Sequence, residues 1–306
     1  VRFASVRTGD GVRIGVVDAG AGTVTVLPAD AGTLDDVVRG GAPALEAVAA
    51  RVASGDVRPL AEADLAAPLA RFNRDVLCTG WNYWDHFEES KGKREGQEPE
   101  GRPLHPTFFT KGPQAVVGPY DDIAFDPELS AKWDYEAEVA IVIGKDGRSI
   151  PEDRAMEHVF GFALANDVSQ RDLQRAHGGQ WLKGKSIDGS MPFGPWLTTP
   201  DDVADPYGIQ LSCELNGQVL QDASTAQVAF RFERIIAELS RGMTLRAGDV
   251  ILTGTPAGIG NAREPQIFLG EGDVVVTAGS GLGQLRNTVR TADLTSYVTS
   301  DVASRV

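Results

Sequence analysis

The sequence predicts a β-rich α+β protein, with a small N-terminal α+β domain over residues 1–70 and a larger strand-dominated domain over 71–306. Three observations lead there. Short β-branched or apolar runs recur along the chain, and long helical periods are scarce. Thirty-five glycines and seventeen prolines punctuate those runs as turns. Finally, the chain changes character near Arg71: nothing before it clusters chemistry, and much after it does.

Length and charge bound the function classes. With 306 residues, 42% hydrophobic and 24% charged, the chain has the balance of a globular protein with a sizeable core. A formal charge of −14 argues against nucleic acid or an anionic membrane as partner, since both need a basic footprint. No apolar stretch approaches the roughly 18 to 20 residues that span a bilayer. Val1–Val6 lead directly into strand alternation without an apolar leader core, so a cytoplasmic location is expected. Cys78 and Cys213 stand far apart, outside any metal-ligand spacing. Two reduced, packed thiols are expected ahead of a disulfide, and structural zinc is not.

Taken in order, Arg2 to Arg7, Val12 to Val17 and Thr23 to Leu27 read as strands of a small antiparallel sheet, broken at Thr8–Gly11 and Ala19–Gly22. Thr33-Leu34-Asp35-Asp36 opens a helix with an N-cap and an acidic first turn, and Ala44 to Val52 reads as a second helical stretch. Val76 to Thr79 is a short strand. Ser90 to Pro103 is dense in Lys, Glu, Gly, Arg and Pro and is expected to be a mobile loop. Further strands are expected at Val139 to Ile143, Leu211 to Leu215, Val250 to Thr253 and Asp273 to Ala278. Arg231 to Ser240 is the clearest later helix, with Phe232, Ile235, Ile236 and Leu239 on one face.

The chemistry concentrates in Asp134-Tyr135-Glu136-Ala137-Glu138-Val139-Ala140-Ile141-Val142-Ile143. On a strand Glu136 and Glu138 project from one face, about 7 Å apart, and beyond them both faces are apolar. Two readings fit: a strand end protruding into water, or a carboxylate pair that binds a cation. Val159 to Asp167 is a second apolar strand ending in a third carboxylate. Three oxygen donors on strands able to lie side by side, with no Cys or His among them, suit Mg²⁺, Mn²⁺ or Ca²⁺.

His86 precedes the charged loop. If the residues after Asp85 turn helically, Glu89 at i+3 faces His86 and orients it; a surface histidine beside acidic neighbours is the other reading. His158 is expected to be structural. Of Lys183 and Lys185, one can face a site while the other is solvated. Gly254-Thr255-Pro256-Ala257-Gly258 is either an anion-holding loop or a plain turn. Gly279-Ser280-Gly281-Leu282-Gly283 lacks the βαβ context of a dinucleotide fingerprint.

Six segments in order resemble the fumarylacetoacetate hydrolase family: Gly80–His86, Pro106–Lys111, Tyr135–Glu138, Asn166–Gln174, Gly184-Lys185-Ser186 and Gly248–Pro256. The resemblance runs from about Cys78 to Arg290 and implies a rolled mixed β-sandwich. It also implies that Glu136, Glu138 and Asp167 bind Mg²⁺ or Mn²⁺, with Ca²⁺ able to stand in within a crystal. Lys185 matches the family's active-site lysine, which leaves Lys183 to solvent. His86 and Glu89 match an acid–base pair on a lid. Gln174 and Thr255 match substrate contacts, and Arg171 is near enough to help bind a carboxylate. A homodimer is implied as well.

From the resemblance, the expected reaction is hydrolysis of a C–C bond in an acylpyruvate-like 2,4-diketo acid. The ion and Lys185 hold the 2-oxo-carboxylate end and the resulting enolate, and His86/Glu89 activate water. The same constellation implies, as alternatives, isomerisation or decarboxylation of a 2-oxo or 2-hydroxymuconate-type diacid. A metal-stabilised binding protein without turnover is the reading from another class. Trp81 and Trp84 are expected to enlarge the lid entrance. Three carboxylates, one divalent ion and Lys185 are expected to give a neutral pocket for a small anionic 2-oxo acid.

Overall fold

Turn chemistry and β-branched alternation set the N-terminal meander. In the computed structural model, which describes residues 1–93 and 99–298, strands β1 (Arg2–Thr8), β2 (Gly11–Asp18), β3 (Thr23–Val26) and β4 (Asp56–Pro59) pair antiparallel in sequence. Helix α1 (Leu34–Arg51) lies between the last two. Thr33 caps it reciprocally: its hydroxyl accepts the Asp36 N–H, and the Asp36 carboxylate accepts the Thr33 N–H. The two helical stretches expected here are both present within α1. They meet at Gly41, whose φ of 60° and ψ of −146° leave the helix just before Pro43.

A short β5 (Leu65–Ala66) joins β1 and leads to β6 (Val76–Gly80), helix α2 (Trp84–Glu89) and β7 (Thr107–Lys111). The charged segment expected as a mobile loop lies in part, at 94–98, outside the described residues. Short strands β8 (Val116–Val117), β9 (Ile123–Phe125) and β10 (Trp133–Asp134) precede the long β11 (Ala137–Ile143). After β12 (Gly147–Arg148) come β13 (Val159–Asn166), β14 (Ser169–Gln170), helix α3 (Arg171–Ala176) and β15 (Met191–Thr198). The chain closes with β16 (Gln210–Leu215), β17 (Gln218–Ser224), helix α4 (Phe232–Ser240), β18 (Thr244–Leu245), β19 (Val250–Leu252), β20 (Val274–Gly279) and β21 (Gly283–Thr291).

The principal sheet runs β4-β3-β2-β1-β15-β13-β11-β19-β6-β7, and a second runs β17-β16-β20-β21-β9. Most pairs are antiparallel, but β6 with β19, β8 with β15 and β9 with β21 run parallel, which makes the architecture mixed. The small antiparallel sheet expected at the N-terminus is present, and it continues into the rest. β1 pairs with β15 through Arg2–Thr198 and Phe3–Leu197, and Phe3, Ile14 and Leu34 share a cluster with Phe193, Val250 and Leu252.

β11 shows why the site is held so firmly. Ala137, Val139, Ile141 and Ile143 face one hydrophobic cluster, shared with Leu211 and Leu285 of the second sheet. Ala140 and Val142 face the other. The strand is apolar on both faces because it is covered on both. Cys78 and Cys213 are free, buried thiols in different clusters, and burial pushes Cys213 up to about 12. The glycine run at 279–283 is the β20–β21 hairpin turn. Among the described residues no helix is long and apolar enough to cross a membrane.

Candidate active site

Two adjacent strand ends build the carboxylate cluster. β11 and β13 pair Ala137 with Asn166, and the Asp167 N–H donates to the Glu136 carbonyl at 2.8 Å. That register brings Glu136, Glu138 and Asp167 together, with ligand oxygens all within 4.8 Å of one another. Their exposures are 4%, 2% and 0%, so the reading of a strand end protruding into water does not hold.

Three buried cations face them. Lys185 Nζ donates to Glu136 Oε2 at 2.6 Å and to Asp167 Oδ2 at 2.8 Å. The Arg171 guanidinium donates to Glu136 Oε1 at 2.6 Å, Asp134 Oδ2 at 2.8 Å and Gln174 Oε1 at 3.1 Å. Lys111 Nζ lies 3.1 Å from Asp167 Oδ1 and donates to the Val168 carbonyl at 2.9 Å. For Lys185, burial lowers the ammonium's pKa, but Asp167 and Glu136 outweigh it and raise it. For Lys111 burial prevails and lowers it.

Glu138 is treated differently. Among the described residues no side-chain cation pairs with it; one oxygen accepts the Gly254 N–H at 2.6 Å. Burial, followed by Asp167 and Glu136, pushes its carboxyl well above the usual carboxylate range. Burial also acts on Glu136, but Arg171, Lys185 and His86 outweigh it and hold that carboxyl well below the range. An all-oxygen set with one buried carboxylate lacking a counter-charge fits a hard divalent cation. Glu136, Glu138 and Asp167 would hold it.

The neutral pocket expected from the sequence is corrected here. That sum counted one lysine. Lys111 and Arg171 are also present, and Asp134 is a fourth carboxylate. With all groups ionised, these four carboxylates against three cations leave a single negative charge, Glu89 and the pocket-lining Arg175 cancel, and a divalent ion would make the pocket net positive toward an anion. Lys111 escaped the sequence reading as a site residue. The available signal was a lysine at the end of a strand on the same face as Phe109.

The histidine comes from α2. After β6, Trp81 takes a left-handed φ of 55°, and the Asn82 side chain accepts the Phe230 N–H and donates to the Thr253 carbonyl, each at 2.7 Å. The first turn of α2 then places His86 Nδ1 2.8 Å from Glu89 Oε1. Glu89 Oε2 accepts the Gly258 N–H at 2.8 Å. An ionised carboxylate can only accept, so Nδ1 donates to Glu89, and in the neutral imidazole Nε2 is left as the acceptor facing the pocket. His86 is 6% exposed and lines the pocket, so the surface-histidine reading does not hold.

The loop Gly254–Gly258 does hold anions through its amides, and they are the protein's own Glu138 and Glu89. Gly258 has φ of 109°, and a Cβ there would meet the Leu220 carbonyl oxygen at 2.1 Å. Thr255 lines the pocket while its hydroxyl donates to the Ala137 carbonyl and accepts from Gln221. Gln174 and Arg171 also line it, although Arg171 is held by Asp134 and Glu136. Lys183 is exposed, His158 Nδ1 meets the Lys145 carbonyl, and neither lines the pocket. Thr79 contributes a buried hydroxyl without a partner in the pocket wall.

The expectation that Trp81 and Trp84 enlarge the entrance is corrected. Trp81 packs edge-on against Trp181, with centroids 5.1 Å apart, and the two rings form part of the wall of a cavity of about 50 Å³. Trp84 packs outside it, against Phe87 and Phe230.

The comparisons with known proteins agree with this geometry. Residues 75–290 match the family model described as fumarylacetoacetate (FAA) hydrolase C-terminal. The human mitochondrial oxaloacetate tautomerase FAHD2A is 43% identical over 234 residues, 76% of this chain and 71% of that one. The fumarylacetoacetate hydrolase of Exiguobacterium antarcticum superposes with a TM-score of 0.80 at 36% identity, covering 95% of this chain and 99% of that one. A maleylpyruvate hydrolase from Sphingobium, solved with manganese(II) and pyruvate, gives a TM-score of 0.77 at 26% identity, covering 96% and 100%. With its strand order, carboxylate cluster and matched segment in agreement, the chain belongs to the fumarylacetoacetate hydrolase family.

Proposed function

We propose that the protein is a divalent-metal-dependent enzyme of small 2-oxo diacids, and that its reaction is enol–keto tautomerisation of an oxaloacetate-type substrate. The observation that carries this reading is the His86 imidazole. Its Nδ1 is fixed by Glu89, and the ring lines the same small pocket as Glu136, Glu138 and Lys185. Relatives such as the human tautomerase, and one from Bacillus subtilis at 38% identity, support the choice of reaction.

The bound ion, Mg²⁺ or Mn²⁺, supplies Lewis-acid polarisation of the substrate's 2-oxo group. The chain's residues do the rest. Lys185 Nζ donates to the oxygen on which negative charge develops. His86 Nε2 takes the proton from C3, the C–H pair becomes the C2–C3 double bond, the carbonyl π pair moves onto the 2-oxo oxygen, and the His86 imidazolium returns the proton to that oxygen to complete the enol. Glu89 stabilises the imidazolium that forms. Arg171 holds Glu136 in place, and the excess positive charge favours a dianion.

Hydrolysis of an acylpyruvate is the second reading, favoured by the likeness to the maleylpyruvate hydrolase; there His86 would deprotonate water instead. One experiment separates them. Metal-loaded protein is mixed with enol oxaloacetate and, separately, with acylpyruvates, and loss of the enol absorbance is followed with product identification. Tautomerisation conserves mass, hydrolysis yields two fragments and decarboxylation releases carbon dioxide. No acceleration of oxaloacetate tautomerisation, with cleavage of an acylpyruvate, would replace the first reading by the second.

A further inference from the structure

Three aromatic side chains belong to two cavities at once. Trp81, Phe109 and Trp181 line the small polar pocket that holds His86 and Lys185. The same three line a neighbouring cleft of about 460 Å³, together with Thr107, Phe108 and Leu182 among others. Trp181 is the centre of this wall. Its ring stands 5.1 Å from both Trp81 and Phe109, and it packs so closely on the Gly80 backbone that a Cβ there would lie 2.8 Å from the indole. Phe109 in turn lies under the Lys185 ammonium, 5.0 Å from its ring centroid. The cleft behind is mixed: the apolar side chains Phe108 (37% exposed) and Leu182 (50%) share it with the polar Thr107, Thr110 and Gln180.

We propose that Trp181 is a specificity-determining residue. It closes the polar pocket against chains longer than a short 2-oxo acid, and the cleft behind it, lined in part by Phe108, Phe109 and Leu182, is a tail subsite that becomes continuous with the pocket once the indole is removed. This rests on reading the site as one for 2-oxo acids. An aliphatic tail reaching the cleft would gain burial at about fourfold in affinity per methylene. In the intact protein it meets the indole instead.

The test needs no turnover. Pyruvate, 2-oxohexanoate and 2-oxooctanoate are titrated calorimetrically into Mg²⁺-loaded wild type and Trp181→Ala. Wild type is expected to bind pyruvate and to lose affinity as the chain lengthens. In Trp181→Ala the ratio of 2-oxooctanoate to pyruvate affinity is expected to rise by about 10-fold or more. If Trp181→Ala does not fold, Trp181→Leu keeps an apolar side chain at this half-buried position and carries the same comparison. An unchanged ratio in a folded variant that still binds pyruvate overturns the partition and leaves the proposed reaction standing. Failure of wild type to bind pyruvate overturns the partition, and failure to bind oxaloacetate as well overturns the proposed reaction with it.

Discussion

Replacing Glu138 by Gln should leave the metal-free protein at least as stable as wild type while abolishing its response to metal. Glu138 lies with Glu136 and Asp167 in a cluster whose ligand oxygens are all within 4.8 Å, and no side-chain cation pairs with it among the described residues. At a pH high enough to ionise Glu138, two unit charges at about 5 Å repel by about 3 kcal/mol at an effective dielectric constant near 20. Lys111, Lys185 and Arg171 offset part of that, so relief of roughly 2 kcal/mol is reasonable. Against it stands the weakening of the bond from the Gly254 N–H, about 1 kcal/mol when the acceptor loses its charge. The net effect in EDTA is a gain of up to about 1 kcal/mol, or about 1 to 2 °C in Tm for a chain of 306 residues. Mg²⁺ then separates the two proteins. At a metal concentration 100 times Kd, wild type gains about 2.7 kcal/mol. Loss of a group that merely hydrogen-bonds a ligand costs about 10- to 100-fold in metal affinity, and removal of a ligand's charge costs more. Glu138→Gln should therefore show no shift over the same titration. Thermal melts with and without metal measure both. A variant that melts several degrees below wild type in EDTA would show that the Glu138 charge supports the fold, and the argument would fail.

Further outcomes follow from the same geometry. His86→Asn should keep the Mg²⁺-dependent Tm shift and lose about 100-fold or more in turnover, as removal of a general base predicts; loss of the metal response would make His86 part of the ion's site. Lys111→Met strips a buried carboxylate of one partner and leaves the Val168 carbonyl unpaired, so stability should fall by about 3 to 5 kcal/mol in urea titrations. A loss under about 1 kcal/mol would mean that Lys111 is dispensable. For pH, burial raises the Glu138 and Asp134 carboxyls, so their contribution is complete below their unfolded values and lost as pH rises through the folded ones. Glu136, held low by Arg171 and Lys185 against its burial, contributes above its ordinary value of 4.5 and loses that contribution only in acid. Melts in EDTA should accordingly show stability falling as pH rises above the ordinary carboxyl values of 3.8 and 4.5; a rise on leaving that range would refute the assignment.

Much of the fold and site was legible because local chemistry and tertiary context agree. The capping box at Thr33, the amphipathic face of α4 and the two-faced apolar run of β11 each have a local signature that burial reinforces. The carboxylates were legible for the opposite reason: acids entering a doubly apolar strand conflict with their surroundings, and such a conflict marks chemistry. What stayed hidden depends on packing between distant segments. Lys111 reads as a strand-end lysine until β7 places it beside Asp167, 56 residues further along the chain. Trp81 reads as bulk at an entrance until its left-handed backbone turns the ring onto Trp181. The continuity of β1 with β15 links residues nearly 200 positions apart, and no period in the sequence reports it.

That continuity bears on how the protein can be cut or recombined. β15 is flanked by β1 on one side and by β13, the strand that ends at Asp167, on the other. Excising the first seventy residues would not release a module. It would strip the end of β15 of its partners at Leu197 and Thr198 and uncover the apolar cluster that Phe3, Ile14 and Leu34 share with Phe193, one strand away from the carboxylate cluster. The opening meander is thus part of the hydrophobic core under the principal sheet, and a cut near residue 70 would pass through that core and not around it.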